Sequence, residues 1–301
     1  MTGRRRASSP RLVEVSRPDK LLWPSLGVTR QIYADYLWTV ADHMLPWLRE
    51  RPLTLVRGPD GIDGERYFQK AASPYTPEWI RTVEIPAPSA KRNVRYLVCD
   101  DRPTLAWLGN QAALEFHPAP VRLDRLDRPD LLVVDIDPPD GGFEEAVDVA
   151  FLVLEILDDL GVASGLKTTG GKGLHVVAPL ERRTTQAELR AAAGRLTRIV
   201  VSRRPELVTA EFRKAGRKGR VMLDPSRNGT GATIVAPYSA RARPDGAVSF
   251  PVVPKELRSV TPADFTLLTV PGLLGRPGPR RWMKLAGERS RLPRELLRDD
   301  G

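Results

Sequence analysis

The sequence predicts an α/β protein in which helices flank a mixed sheet. Two observations lead there. Apolar runs of strand length are interspersed with segments whose apolar residues recur at helical spacing. The strands are joined sometimes through helices and sometimes through hairpin-like loops, which suits a mixed sheet covered on its faces. At 301 residues and 41% hydrophobic content, the chain can bury a sizeable core, so wholesale disorder does not fit.

In chain order, "TRQIYADYLWTVADHMLPWLRE" (29–50) reads as a helix capped by Thr29, with Pro46 near its end. "PLTLVRG" (52–58) and "RYLVCD" (95–100) read as strands, and "TLAWLGNQAALEF" (104–116) as a helix leading to His117. "LLVVDID" (131–137) is a strand, followed by the amphipathic helix "FEEAVDVAFLVLEILDDLG" (143–161) that Gly161 ends. Strands at 173–180, 220–224 and 232–239 follow, with a helix at 185–205 between the first two. There is no internal repeat and no low-complexity linker. The expected organisation is a basic flexible tail at 1–11, one domain at 12–285 and a C-terminal tail at 286–301. A soft boundary divides that domain into an N-terminal part (about 12–125) and a motif-bearing part (about 126–275).

The formal charge of +10, from 47 Lys+Arg against 37 Asp+Glu, favours a polyanionic partner, because cations that replace counterions on phosphates gain affinity. An arginine-rich proteome would give the same excess. The lone Cys99 excludes an internal disulfide and a multi-cysteine zinc site, which suits a reducing compartment. "MTGRRRASSPR" lacks a following apolar stretch and is no signal peptide, and no apolar run reaches membrane-spanning length. The expectation is a cytoplasmic protein.

The chemistry starts with "LLVVDIDPPDGG". On a strand, residues i and i+2 share a face, so Asp135 and Asp137 crowd their charges together. Two readings stand: they cap the turn that follows, or a hard divalent cation such as Mg²⁺ or Mn²⁺ neutralises them. Asp224 ends another short apolar strand, "RVMLD". If that strand lies beside the first, three carboxylates can hold two metal ions about 3.5–4 Å apart, the clamp of phosphoryl transfer.

"KTTGGKGLHVVAPL" (167–180) is neither a Walker A loop nor G-x-G-x-x-G, since Leu166 and Val176 stand where glycines belong. It still offers backbone N–H groups, the hydroxyls of Thr168 and Thr169, the cations Lys167 and Lys172, and His175 just inside the next strand. Such a loop can cradle a triphosphate. "EFRKAGRKGRVMLD" (211–224) sets Arg213, Lys214, Arg217, Lys218 and Arg220 ahead of the third aspartate, as a solvated basic hairpin or as a phosphate contact.

Taken together, these pieces resemble the polymerase domain of bacterial ligase D, a branch of the archaeo-eukaryotic primase superfamily. The resemblance runs from about residue 12 to about residue 285. It rests on "DKLLWPSLGVTR", "RPLTLVRGPDGIDGERYFQK", "LEFHP", "RPDLLVVDIDP", "KTTGGKGLHVVAPL", "RKGRVMLDPSRN" and "GATIVAPYSARARPDGAVSFPV". It implies a primase-like α+β fold of mixed and antiparallel sheets. Asp135, Asp137 and Asp224 would be the metal-binding catalytic carboxylates. Thr169, Lys172, His175, Arg217 and Arg241 would contact the incoming triphosphate, and His117 its sugar. Tyr67 and Phe68 would stack at the templating base, while Lys20 and Arg30 would hold the 5′-phosphate of a gapped or broken DNA end. Thr169 replaces the family's usual serine, Arg30 its lysine, Tyr67 its phenylalanine and Pro225 a bulky residue. No metal ligand is lost.

The implied activity is nucleotidyl transfer from nucleoside triphosphates to DNA 3′ ends, with two Mg²⁺ or Mn²⁺ ions, a preference for ribonucleotides, and work in non-homologous end joining beside the end-binding protein Ku. With no ligase or nuclease sequence following, a stand-alone polymerase unit working with a separate ligase, associated with the nucleoid, is expected. The alternatives are a primase starting chains de novo, a D-x-D glycosyltransferase, and a non-catalytic DNA-end binder.

Overall fold

The computed structural model describes residues 13–87 and 92–297; the basic tail expected at 1–11 lies outside the described residues. Strands β1 (Leu21–Trp23) and β2 (Val28–Thr29) pair across a short turn closed by Gly27, whose φ of +64° suits glycine. Thr29 then caps helix α1 (Arg30–Leu48) by accepting from the Ile32 N–H, as its sequence position predicts. The helix buries Tyr33, Leu37, Val40 and Met44.

The first sheet comes from β3 (Leu53–Arg57), β4 (Tyr67–Gln69), β5 (Thr82–Ala87), β6 (Arg92–Leu97) and β7 (Ala113–Pro118), in the order β4-β3-β6-β5 with β7 also paired to β3. Between β6 and β7 lies α2 (Arg102–Asn110), capped by Asp101. The single helix expected over 104–116 is therefore wrong in its second half. Ala112 takes φ +55°, and residues from 113 pair with β3 in antiparallel register, Thr54 opposite His117. Pairing with a ready-made strand outweighs the helix propensity of "AALE".

The second sheet takes β8 (Leu131–Asp137), then helix α3 (Phe143–Asp159), β9 (Gly165–Thr168), β10 (Leu174–Pro179), helix α4 (Gln186–Arg203), β11 (Val208–Thr209), the short helix α5 (Lys214–Arg217), β12 (Val221–Asp224) and β13 (Pro251–Val252). Its order is β11-β12-β8-β10-β9-β13; only β11–β12 is parallel. Thr185 and Glu188 form a capping box at the start of α4. Helices α3 and α4 cover one face of β8, while Leu131 and Val133 on the other face meet Trp47, Ile234 and Trp282. Short helices α6 (Pro254–Leu257), α7 (Pro277–Leu285) and α8 (Arg294–Leu297) complete the chain. In the stretch read from sequence as a C-terminal tail, Leu292 and Leu296 are buried, and α8 lies against α4.

The strand expected over 232–239 is replaced by an irregular extended segment. Ile234 and Ala236 donate to Pro118 and Phe116 of β7, but Pro237 has no N–H and Tyr238 turns away at φ +66°. The same segment then joins the second sheet, where Thr168 donates to the Phe250 carbonyl. It stitches the two sheets together. Among the described residues, no helix is long and apolar enough to cross a membrane.

A buried ion pair fastens the sheets at their roots. Arg51, just before β3, donates through both terminal nitrogens to Asp130, just before β8, at 2.6 and 2.7 Å. Both side chains are almost wholly buried. Asp130→Ala leaves the guanidinium buried without its carboxylate and is expected to cost about 3–5 kcal/mol, read from chemical denaturation. A loss under about 1 kcal/mol would show that water reaches Arg51.

Candidate functional site

Strand register builds the centre of the site. Asp224 lies opposite Asp135, Asp135 opposite His175, and His175 opposite Lys167, one row across β12, β8, β10 and β9. Asp137 stands two residues along β8 on the same face. The expected proximity of the third aspartate to the first pair is thus a matter of adjacent strands.

The carboxylates do not stand alone. Asp135 accepts from Arg227 Nε at 2.9 Å and lies 3.3 Å from His175 Nε2. Arg227 also reaches Asp224, at 3.7 Å. Asp137 accepts from Arg217 at 2.7 Å and has Lys172 3.5 Å away. Asp224 also accepts from the Ser226 N–H, so it caps a turn as well as joining the row. Burial would raise the Asp135 carboxyl, but His175 and Arg227 outweigh it and hold the group well below the usual carboxylate range. Burial and the Lys167 charge push His175 down to about 4 against the pull of Asp135.

In kind, the donor set suits hard divalent ions: three carboxylates at neighbouring strand ends. As placed, no three acidic, histidine or cysteine side chains among the described residues converge on one point. Arg217, Arg227 and Lys172 take up the negative charge of the three carboxylates.

Around the row opens a cavity of about 1000 Å³. It is lined by the three aspartates, Thr169, Lys172, His175, Arg217 and Arg241, together with His117 and Phe68 from the first sheet. The turn between β9 and β10 forms one wall. Gly170, at φ +66°, passes so close to Arg241 and to the backbone of Val248 and Ser249 that a Cβ would collide. Arg241 donates to the Thr169 carbonyl at 3.2 Å, and the Thr169 hydroxyl is held within the turn by Gly171 and Gly173. On the opposite wall the Phe68 ring is 73% exposed, its centroid 6.3 Å from that of His117.

Not every expected residue reaches this cavity. Tyr67 does not line it and instead lies beneath the Arg57 guanidinium, since neighbours on a strand face opposite ways. Lys20 and Arg30 lie side by side through a backbone hydrogen bond but outside the cavity. Lys20 pairs with Asp60, and the buried Arg30 donates to Ser16. Sequence reasoning missed Arg227 and Glu115. The first was detectable as an arginine one tight turn after Asp224. Glu115 could have been found two residues before His117, on the same face of its strand.

A model of the family described as "LigD, primase-polymerase domain" matches residues 29–279. The chain belongs to this family. It is 35% identical to the multifunctional non-homologous end joining protein LigD of Pseudomonas aeruginosa, over 96% of this chain and 34% of that protein. To the bifunctional LigD of Bacillus subtilis it is 34% identical, over 84% of this chain and 41% of that one. The chain therefore spans well under half the length of either relative. The polymerase domain of Mycobacterium tuberculosis ligase D, solved in complex with DNA, superimposes with a TM-score of 0.83 at 30% identity, covering 89% of this chain and 96% of that one. The primase-like α+β fold implied by the sequence is the fold of this LigD-family chain.

The depressed His175 has a consequence for stability. A histidine with a folded value near 4 against an unfolded value near 6.5 binds fewer protons folded than unfolded between those limits. Stability is therefore expected to fall as pH drops from about 6.5 to about 4. His175→Asn should flatten that part of the profile in thermal melts; an unchanged slope would put its origin elsewhere.

Proposed function

We propose that this LigD-family chain is a nucleotidyltransferase that extends DNA 3′ ends at gaps and double-strand breaks in non-homologous end joining. One observation carries the reading: three carboxylates in register at strand ends face a glycine-containing turn that offers Lys172 and backbone N–H groups. Asp135, Asp137 and Asp224 would hold two Mg²⁺ or Mn²⁺ ions. Bound there, such ions supply the Lewis acidity that lowers the pKa of an attacking hydroxyl and neutralises a leaving pyrophosphate.

The chain's own residues do the positioning. Lys172, Arg217 and Arg241 give charge to a triphosphate, with the N–H groups of Gly170 and Lys172 in the turn completing the cradle. His175, kept neutral by burial, orients Asp135 rather than adding a charge of its own. Phe68 stacks a base, and His117 beside it meets the sugar. Lys20 and Arg30 take the 5′-phosphate of a broken end once Asp60 and Ser16 release them. A preference for ribonucleotides and joint action with Ku and a ligase belong to the same proposal; what the family and the relatives' names support is the setting of end joining.

Primer extension on 5′-phosphorylated gapped DNA, with ribo- or deoxyribonucleoside triphosphates and Mn²⁺, tests the reading. Metal-dependent extension is expected for the wild type, while Asp137→Ala should lose it and keep its affinity for DNA. Tight binding with no extension by the wild type would leave an end-binding protein. Phe68→Ala is expected to weaken templated extension by about 1–3 kcal/mol of stacking, roughly 5- to 150-fold in kcat/KM; an unchanged value would remove Phe68 from the base site.

A further inference from the structure

Glu115 sits at the centre of the cavity's least explained contacts. It is 7% exposed, on β7, facing the same way as His117. One carboxylate oxygen accepts from the Ala242 N–H at 2.9 Å. The other lies 2.8 Å from His117 Nε2 and 3.1 Å from Arg241 Nε. Burial alone would raise the Glu115 carboxyl, yet the His117 hydrogen bond and the Arg241 charge hold it below the ordinary glutamate range. An ionised carboxylate can only accept. His117 must therefore carry a proton on Nε2, and its other ring nitrogen, Nδ1, has no hydrogen-bond partner among the described residues.

We infer that Glu115 is a positioning residue that fixes His117 as the Nε2–H tautomer, presenting Nδ1 to the nucleotide as an acceptor for a sugar hydroxyl, and that holds Arg241 against the phosphate turn. His117 belongs to the first sheet beside Phe68, whereas Arg241 donates to Thr169 in the second. One carboxylate thus sets the spacing between the base-and-sugar wall and the triphosphate wall. The nucleotide part of this inference rests on the function proposed above; the tautomer does not.

Glu115→Gln makes a sharp test because the Ala242 backbone N–H is fixed in place whereas the Arg241 side chain can turn away from an amide NH₂. The Ala242 N–H needs an acceptor, so the amide oxygen stays there and the NH₂ group turns to His117. That nitrogen must then accept, and the proton moves to Nδ1. Long-range ¹H–¹⁵N correlation spectra at mildly alkaline pH read tautomers directly, and with three histidines in the chain the assignment is short. The expected result is Nε2–H for His117 in the wild type and Nδ1–H in Glu115→Gln. A wild-type ring that is Nδ1–H or doubly protonated, or a tautomer indifferent to the substitution, overturns the inference without touching the polymerase reading.

In primer extension, Glu115→Gln should raise the KM for a ribonucleoside triphosphate about tenfold, with kcat changed by less than about twofold. It should also narrow the difference in KM between ribo- and deoxyribonucleotides. An equal rise in KM for both sugars overturns the sugar-hydroxyl part and leaves only the Arg241 contact, and a fall in kcat alone assigns Glu115 a merely structural part. Wild-type protein that neither extends primers nor binds triphosphate removes the nucleotide role together with the proposed function.

Discussion

Like charges set in register are the constraint on which this molecule is organised. Asp135 and Asp224 are cross-strand partners, and Asp137 shares their face. Two carboxylates about 5 Å apart repel by about 3 kcal/mol at an effective dielectric near 20. The sheet tolerates them because cations arrive from three separate connections: Lys172 from the β9–β10 turn, Arg217 from the β11–β12 loop and Arg227 from the turn after β12. The strands fix the negative charges. The positive ones come from the connections between strands.

That division of labour would suit the counterion exchange that the proposed function requires. Rigid strands hold the groups whose spacing matters, and flexible side chains hold the groups that must yield to a ligand. The second requirement is that two sheets keep a fixed distance across the cavity. The Arg51–Asp130 pair does this at the base, and the 232–250 segment does it at the rim by bonding first to β7 and then to β9. Glu115 adds a third tie by contacting both His117 and Arg241 of the cavity wall.

Much of this was legible in the sequence, because the relevant patterns are local. The period-two spacing of Asp135 and Asp137 placed them on one face, and the Thr29 cap and Gly161 stop marked helix ends. What local pattern cannot show is which strand lies next to which. Asp224 joined the row only through an inter-strand pairing, and Arg227, Lys167 and Glu115 gain their meaning from the same register. The errors have one cause as well. Residues 113–116 and 232–239 were read by propensity and apolar content, yet their structure is decided by β7 finding β3 and by Pro237 interrupting a ladder. Strand alternation also explains why Tyr67 and Phe68, adjacent on β4, face opposite ways.

Pro225 takes on a role in light of this register. It follows Asp224 directly, starts a 3₁₀ turn and has no N–H to extend the ladder between β12 and β8. A strand that ends on a proline cannot slide along its neighbour by one residue, a slip that would turn Asp224 toward the helical layer and bring Leu223 into the row. Pro225 works as a mechanical stop, keeping an unfavourable charge arrangement from relaxing by the simplest route open to it.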